Sequence, residues 1–320
     1  MLQFHPPGIG QQVVETSLGA MVYYTPVGAP WTPAPADAPT LLFLHGFGGG
    51  ASAYEWSKVY PAFLDTHRVL VPDLIGWGQS AHPARDYRVE DYLTTLTEFV
   101  EKTCTTPVTV VASSLTGAIA VRLAVGRSDL FNALFLVCPS GFSDFGQDAG
   151  RRLPLQIINT PLLNQLIYTL GATHEAAVRN FLERFLFAQP DRISPETVAA
   201  YLESAQQPNA QYAALAFLQG NLYFDLARYI GQLKTPTTIL WGEKAQFTPV
   251  EQGRRLACLN PTAVQFFLRL QGTGVLPALE QPETVTGLLQ WFLWKGLNSG
   301  DRDTPEDATS VTPAAISTGN

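Results

Sequence analysis

The feature that most restricts this chain is a series of short segments apolar on both faces, separated by helical patterns. Thr40–Leu44 (TLLFL), Arg68–Pro72 (RVLVP), Val108–Ala112 (VTVVA) and Ala133–Cys138 (ALFLVC) lack the polar alternation of a half-exposed strand. Strands of this kind must be covered on both sides, which requires helices above and below a mostly parallel sheet. The intervening segments supply them: Glu55–Leu64, Val89–Cys104 with Tyr92, Leu93, Leu96, Phe99 and Val100 at helical spacing, and Leu115–Val125. Upstream, Gln11–Thr16 and Ala20–Thr25 alternate as strands around a turn at Leu18-Gly19. Pro26, Pro30, Pro33, Pro35 and Pro39 then mark an extended surface connection.

The alternation stops between about Gly141 and Leu233, where Glu175–Phe187, Pro195–Ala205 and Ala210–Leu222 all read as helices. Strand patterns return at Thr237–Trp241 and Val264–Leu270, each followed by a helix, Pro249–Leu259 and Glu283–Leu297. The expected organisation is an α/β core of residues 1–141 and 231–298, a helical insertion at 142–230, and a disordered acidic tail at 299–320. The tail holds Asp301, Asp303, Glu306 and Asp307 against Arg302, which is −3, and leaves −4 of the net −7 for the rest of the chain.

That charge balance, 20 basic against 27 acidic residues, has no electrostatic footprint for nucleic acid. No apolar run approaches the ~20 residues of a membrane span. The start, MLQFHPPGIGQQ, has no basic and apolar signal pattern, so a cytoplasmic location is expected. Cys104, Cys138 and Cys258 are too scattered for a disulfide framework or a metal site and are expected to be small buried hydrophobes. No metal or cofactor is called for.

Chemistry is concentrated at a few turns. The strand Val108–Ala112 runs through Ser113-Ser114-Leu115-Thr116-Gly117 into a helix, the context of a nucleophile elbow with Ser114 at its tip, although Ala112 and Thr116 replace its usual glycines. His45-Gly46-Phe47-Gly48-Gly49-Gly50 follows one buried strand, and Asp73-Leu74-Ile75-Gly76-Trp77-Gly78-Gln79-Ser80 the next. On these motifs, over residues 10–297, the chain resembles the α/β-hydrolase superfamily, in the branch with a helical cap. The resemblance implies a mostly parallel eight-stranded sheet with helices on both faces, a cap inserted at about 142–230, and an oxyanion hole from the backbone N–H groups of Phe47 and Leu115. Each such donor contributes a few kcal/mol at a developing oxyanion.

Ser114 needs a base, and the base an acid. The family places the acid in W-G-x-x-D-x-x-x-P, which here reads Trp241-Gly242-Glu243-Lys244-Ala245-Gln246-Phe247-Thr248-Pro249, so Ala245 stands at the acid position. It places the base in G-H-x-P-x-x-E-x-P, which reads Gly274-Val275-Leu276-Pro277-Ala278-Leu279-Glu280-Gln281-Pro282, so Val275 stands at the histidine position. Glu243 and Asp144 are the available substitute acids. Of the five histidines, the resemblance gives His45 the task of fixing its own loop, His5 lies in the N-terminal extension and His67 at the far end of a strand. His82 and His174 are left as the two able to approach the site.

Two readings follow. The first is a hydrolase-like pseudoenzyme whose capped apolar pocket binds a small acyl, ester or lipid-like molecule, or which serves as an interaction scaffold. The second is an esterase-like serine hydrolase using Ser114 with an unconventional base. Losing the base costs on the order of 10⁴–10⁶ in turnover, and valine takes no proton, which favours the first. Leu162, Leu163, Leu166, Ile167, Tyr168, Phe181, Phe185, Phe187, Phe217 and Tyr223 are expected mainly to pack cap helices, a minority of them lining the pocket.

Overall fold

The computed structural model describes residues 1–32, 34–35, 37–146, 168 and 173–295. The expected tail at 299–320, and Leu162, Leu163, Leu166 and Ile167, lie outside the described residues.

Eight strands form one sheet: β1 (Ile9–Thr16), β2 (Gly19–Pro26), β3 (Thr40–Leu44), β4 (Arg68–Pro72), β5 (Val108–Ser113), β6 (Phe131–Val137), β7 (Thr237–Gly242) and β8 (Val264–Leu270). Their order is β1-β2-β4-β3-β5-β6-β7-β8. β1 and β2 join by antiparallel pairing and the pairs from β4 to β8 are parallel, so the sheet is mostly parallel, as the sequence implies. Every residue of β3, β5 and β7 is buried. Because successive side chains alternate between faces, both faces are covered there. The outer strands β1 and β8 are only partly buried.

The helices are α1 (Val89–Thr103), α2 (Ser114–Gly126), α3 (Glu175–Phe181), α4 (Pro195–Ala205), α5 (Ala210–Leu218), α6 (Ala227–Ile230), α7 (Val250–Cys258), α8 (Pro277–Glu280) and α9 (Pro282–Lys295). Phe99 of α1 packs edge-on against Tyr23 of β2, and Phe292 of α9 packs at a tilt against Phe135 of β6. The segment between β6 and β7 supplies α3 to α6 and no strand among the described residues. α4 begins where its sequence says it should: Ser194 caps the Thr197 amide and Pro195 occupies the first turn.

Three expected helices are shorter or different. Glu55–Leu64 is two 3₁₀ turns, Ala53–Trp56 and Tyr60–Phe63, because Pro61 lacks the donor a continuous α-helix needs there. Glu175–Phe187 is α3 followed by a wider π turn, closed by the Phe187 amide on the Leu182 carbonyl at 2.9 Å. Ala210–Leu222 stops at Leu218, and Gly220, with φ +80°, turns the chain away. Of the cysteines only Cys138 is buried; Cys104 is half-buried and Cys258 is exposed at the end of α7. Among the described residues no helix is long and apolar enough to cross a membrane.

Candidate functional site

Parallel sheets gather their functional loops at the carboxyl ends of the strands, and four of the expected site segments meet there. β5 ends at Ser113 in extended conformation, and Ser114, the first residue of α2, takes φ +54°. That left-handed conformation is costly for any residue but glycine, and it turns the chain sharply enough to start a helix directly on a strand. Leu115 is thus in the first turn of α2, where backbone N–H groups have no acceptor within the helix. The Ser140 amide bonds to the Ser114 carbonyl at 3.3 Å, tying the end of β6 to the elbow.

The loop after β3 lies against this elbow. A methyl group added to Gly46 would sit 3.2 Å from Ser113 Oγ and 3.5 Å from Ser114 Cβ, an approach only glycine permits comfortably. His45 is fully buried. Its Nε2 accepts the Leu74 amide at 3.0 Å, so its Nδ1–H donates to the Gly46 carbonyl at 2.7 Å. Burial pushes its pKa down to about 4, which keeps it neutral. Phe47 is buried against Trp77 and Tyr92, with ring centroids 5.2 and 4.7 Å away.

The positions expected for acid and base are also at these strand ends. Gly242, at the end of β7, is so close to Gly274 that any side chain there would collide with the Gly274 carbonyl. The loops holding Ala245 and Val275 therefore run side by side. Val275 is buried, and its amide bonds to the Leu186 carbonyl at 2.9 Å. It lines a cavity of about 10 Å³ with Glu55, Trp56, Ser113, Val137 and residues 276–278. That volume holds one water molecule at most. Ala245 is half-buried, packed on the core.

The substitute acids are engaged elsewhere. Asp144 is buried and accepts from Ser140 Oγ (2.6 Å), the Gly141 and Leu226 amides (3.1 and 2.9 Å) and Gln252 Nε2 (3.0 Å). It fastens the chain entering the insertion to the chain leaving it. Glu243 lies at the rim, 3.9 Å from Arg269 and 3.4 Å from the Gly272 amide.

The histidines are equally occupied or remote. His82 follows Ala81, whose amide bonds to the Ala20 carbonyl at the start of β2. Three strand spacings separate β2 from β5, about 14 Å. His82 does not reach Ser114 in the way the sequence left open, and neither does His174, exposed at the start of α3. His67 precedes β4 and bonds to Thr66 at 2.8 Å. His5 is buried, stacked on Tyr24 at 3.9 Å and 2.9 Å from Tyr60 Oη, and burial holds its pKa near 3. Among the described residues, Ser114 Oγ has no hydrogen-bond partner.

Sequence reading missed Glu55. It is 3% exposed, its Oε2 accepts the Gly46 amide at 2.8 Å and lies 3.4 Å from Ser113 Oγ, and its Oε1 accepts from Tyr201 Oη at 2.8 Å. Burial pushes its pKa up to about 7. A lone carboxylate between Tyr54 and Trp56 was the available signal. Above the loops, aromatic rings of the insertion, with Phe247 of the loop after β7, continue from Phe47. Phe217, Phe142, Tyr223, Phe247, Phe185 and Phe181 form a connected series with centroid spacings of 5.2–6.4 Å.

Sheet order, strained serine turn and abutting glycine loop coincide with the match of residues 39–282 to the family model described as alpha/beta hydrolase fold. The chain belongs to the α/β hydrolase family. Among related sequences, Lipase 1 of Psychrobacter immobilis is 27% identical over 244 residues, 75% of this chain and 72% of that one. The uncharacterized hydrolase YugF of Bacillus subtilis (strain 168) is 25% identical over 259 residues, covering 79% and 89%. Two solved structures share the fold. The serine hydrolase of carbazole degradation, CarC, superposes with TM-score 0.71 at 19% identity, over 89% of this chain and 99% of that one. A thermophilic esterase from Thermogutta terrifontis superposes with TM-score 0.69 at 22% identity, covering 90% and 99%.

Proposed function

We propose that this α/β hydrolase has lost its triad chemistry and works in the cytoplasm as a binding protein for a small acyl, ester or lipid-like molecule. One observation carries the reading. Ser114 Oγ has no hydrogen-bond partner among the described residues, and every histidine and lysine of the chain falls among them. An alcohol without a proton acceptor is a poor nucleophile at neutral pH, and Ala245 and Val275 accept no proton. Within the aromatic series Phe185 is exposed and Phe181, Tyr223 and Phe247 are half-buried, and this part supports an apolar occupant, because such surface binds chiefly by being removed from water.

The second reading, an esterase-like serine hydrolase, is favoured by the strain at Ser114, whose φ of +54° lies in the left-handed region. In that reading the N–H groups of Phe47 and Leu115 are its oxyanion donors. A fluorophosphonate probe separates the two. Intact-mass labelling of the native protein at pH 7.5 is expected to match that of Ser114→Ala. Rapid labelling that disappears in Ser114→Ala establishes the second reading instead.

A further inference from the structure

The peptide between Gly46 and Phe47 is fixed by its neighbours. His45 Nδ1–H donates to the Gly46 carbonyl at 2.7 Å, and the Gly46 amide donates to Glu55 at 2.8 Å. In a trans peptide the N–H points opposite to the carbonyl, so the Phe47 N–H faces away from His45. Among the described residues it has no acceptor, and neither has the Leu115 N–H in the first turn of α2. Ser114 is 6% exposed, and its Cβ would lie 3.5 Å from a methyl group added to Gly46, so this side chain sits against the glycine loop. Its Oγ has no partner, and Thr116 Oγ1, buried at the same turn, has none either. Buried donors are rarely left unmatched in a folded protein; here the Phe47 and Leu115 N–H groups and the Ser114 hydroxyl fall at one junction.

That junction has donors and no free acceptor. Both nitrogens of His45 are engaged. Glu55 accepts from the Gly46 amide, Tyr201 Oη and Ser113 Oγ, whose hydrogen bonds stabilise its own charge. Ala245 and Val275 have no polar side chain. An aspartate at 245 would set a negative charge at these strand ends and repel an incoming anion, whereas alanine sets none.

We propose that the Phe47 and Leu115 N–H groups and the Ser114 hydroxyl hold the carboxylate of an apolar carboxylic acid, so that the ligand is the free acid rather than an ester. This rests on the binding reading above and names its ligand. A carboxylate brings two oxygens and a full charge to these donors, and hydrogen bonds to an ionised acceptor are roughly twice as strong as neutral ones. An ester brings one carbonyl oxygen and no charge. The N-terminus of α2, a helix of 13 residues, adds its positive end. The apolar tail has a place beside the donors. A methyl group added to Gly48 would sit 3.6 Å from two Phe181 ring carbons, and from Phe181 the rings continue to the exposed Phe185. No covalent step is involved: Ser114 keeps its proton and donates it in a hydrogen bond.

Isothermal titration of the full chain at pH 7.5 with octanoate, methyl octanoate and octan-1-ol compares one tail on three head groups. Octanoate is expected to bind at least about 10-fold more tightly than either neutral analogue. Ser114→Ala is expected to weaken octanoate by about 10-fold and methyl octanoate by less than about 3-fold. A neutral analogue that binds as tightly as octanoate, or an unchanged octanoate affinity in Ser114→Ala, overturns the carboxylate assignment and leaves the binding reading standing. Failure of all three to bind overturns both. Should Ser114→Ala not fold, NMR of bound octanoate decides: its carboxyl carbon is expected to titrate below the free acid, and an unshifted titration overturns the assignment.

Discussion

The Leu74 amide donates to His45 Nε2 at 3.0 Å, and this bond commits the histidine of the glycine loop to structure. With Nε2 accepting and Nδ1–H donating to the Gly46 carbonyl, neither ring nitrogen is left to take a proton from Ser114. His45→Ala is expected to leave the buried Leu74 donor and Gly46 acceptor unmatched and to open a void, at a cost of about 2–4 kcal/mol. Urea unfolding monitored by tryptophan fluorescence checks this; a loss under 1 kcal/mol contradicts it.

Phe142 takes φ +62° yet carries the ring that contacts Phe217, Tyr223 and Phe247. Alanine there keeps the backbone strain and loses the ring, whereas glycine relieves the strain. Phe142→Gly is therefore expected to be more stable than Phe142→Ala by about 1 kcal/mol, the reverse of the order in an ordinary loop. Paired thermal or urea melts measure it.

Restoring both missing groups tests how much of the site survives. Ala245→Asp with Val275→His is expected to raise Ser114-dependent hydrolysis of a p-nitrophenyl ester at least about 100-fold above the native chain, a fraction of the ~10⁴ a complete triad supplies. Val275→His alone is expected to gain less, having no acid to orient the ring. Rates that remain unchanged when Ser114→Ala is added to the double variant would show that the new groups act elsewhere.

The buried acids and histidines pull stability in opposite directions with pH. Glu55, raised from 4.5 to about 7, and Asp73, raised from 3.8 to about 6, hold protons more tightly folded than unfolded. Their contribution is complete below the unfolded values and is lost as pH rises through the folded ones. His45, lowered from 6.5 to about 4, and His5, lowered to about 3, contribute above pH 6.5 and lose that contribution as pH falls through those values. Glu55→Gln removes one falling limb. Its stability relative to the native chain is expected to improve between pH 4.5 and 7, by on the order of 3 kcal/mol. Urea midpoints at four pH values across that range read the trend, and a flat difference refutes it.

The sequence alone determined the sheet and where its turns fall. β3, β4 and α4 have the bounds their residue patterns give, because two-faced apolar runs and a Ser-Pro cap act over a few residues. The order of chemical segments was equally legible: Ser114 on its turn, Phe47 and Leu115 beside it, Ala245 and Val275 after the last two strands. Tertiary structure decided what those segments touch. Glu55 meets Tyr201 from 146 residues away, Asp144 meets Leu226 and Gln252 across the insertion, and His82 ends beside β2 rather than the elbow. Such contacts depend on how distant segments fill one shared volume, a property no local pattern encodes. The left-handed backbone of Phe142 is of the same kind, since strain at a bulky residue persists only where the surrounding packing outweighs its cost.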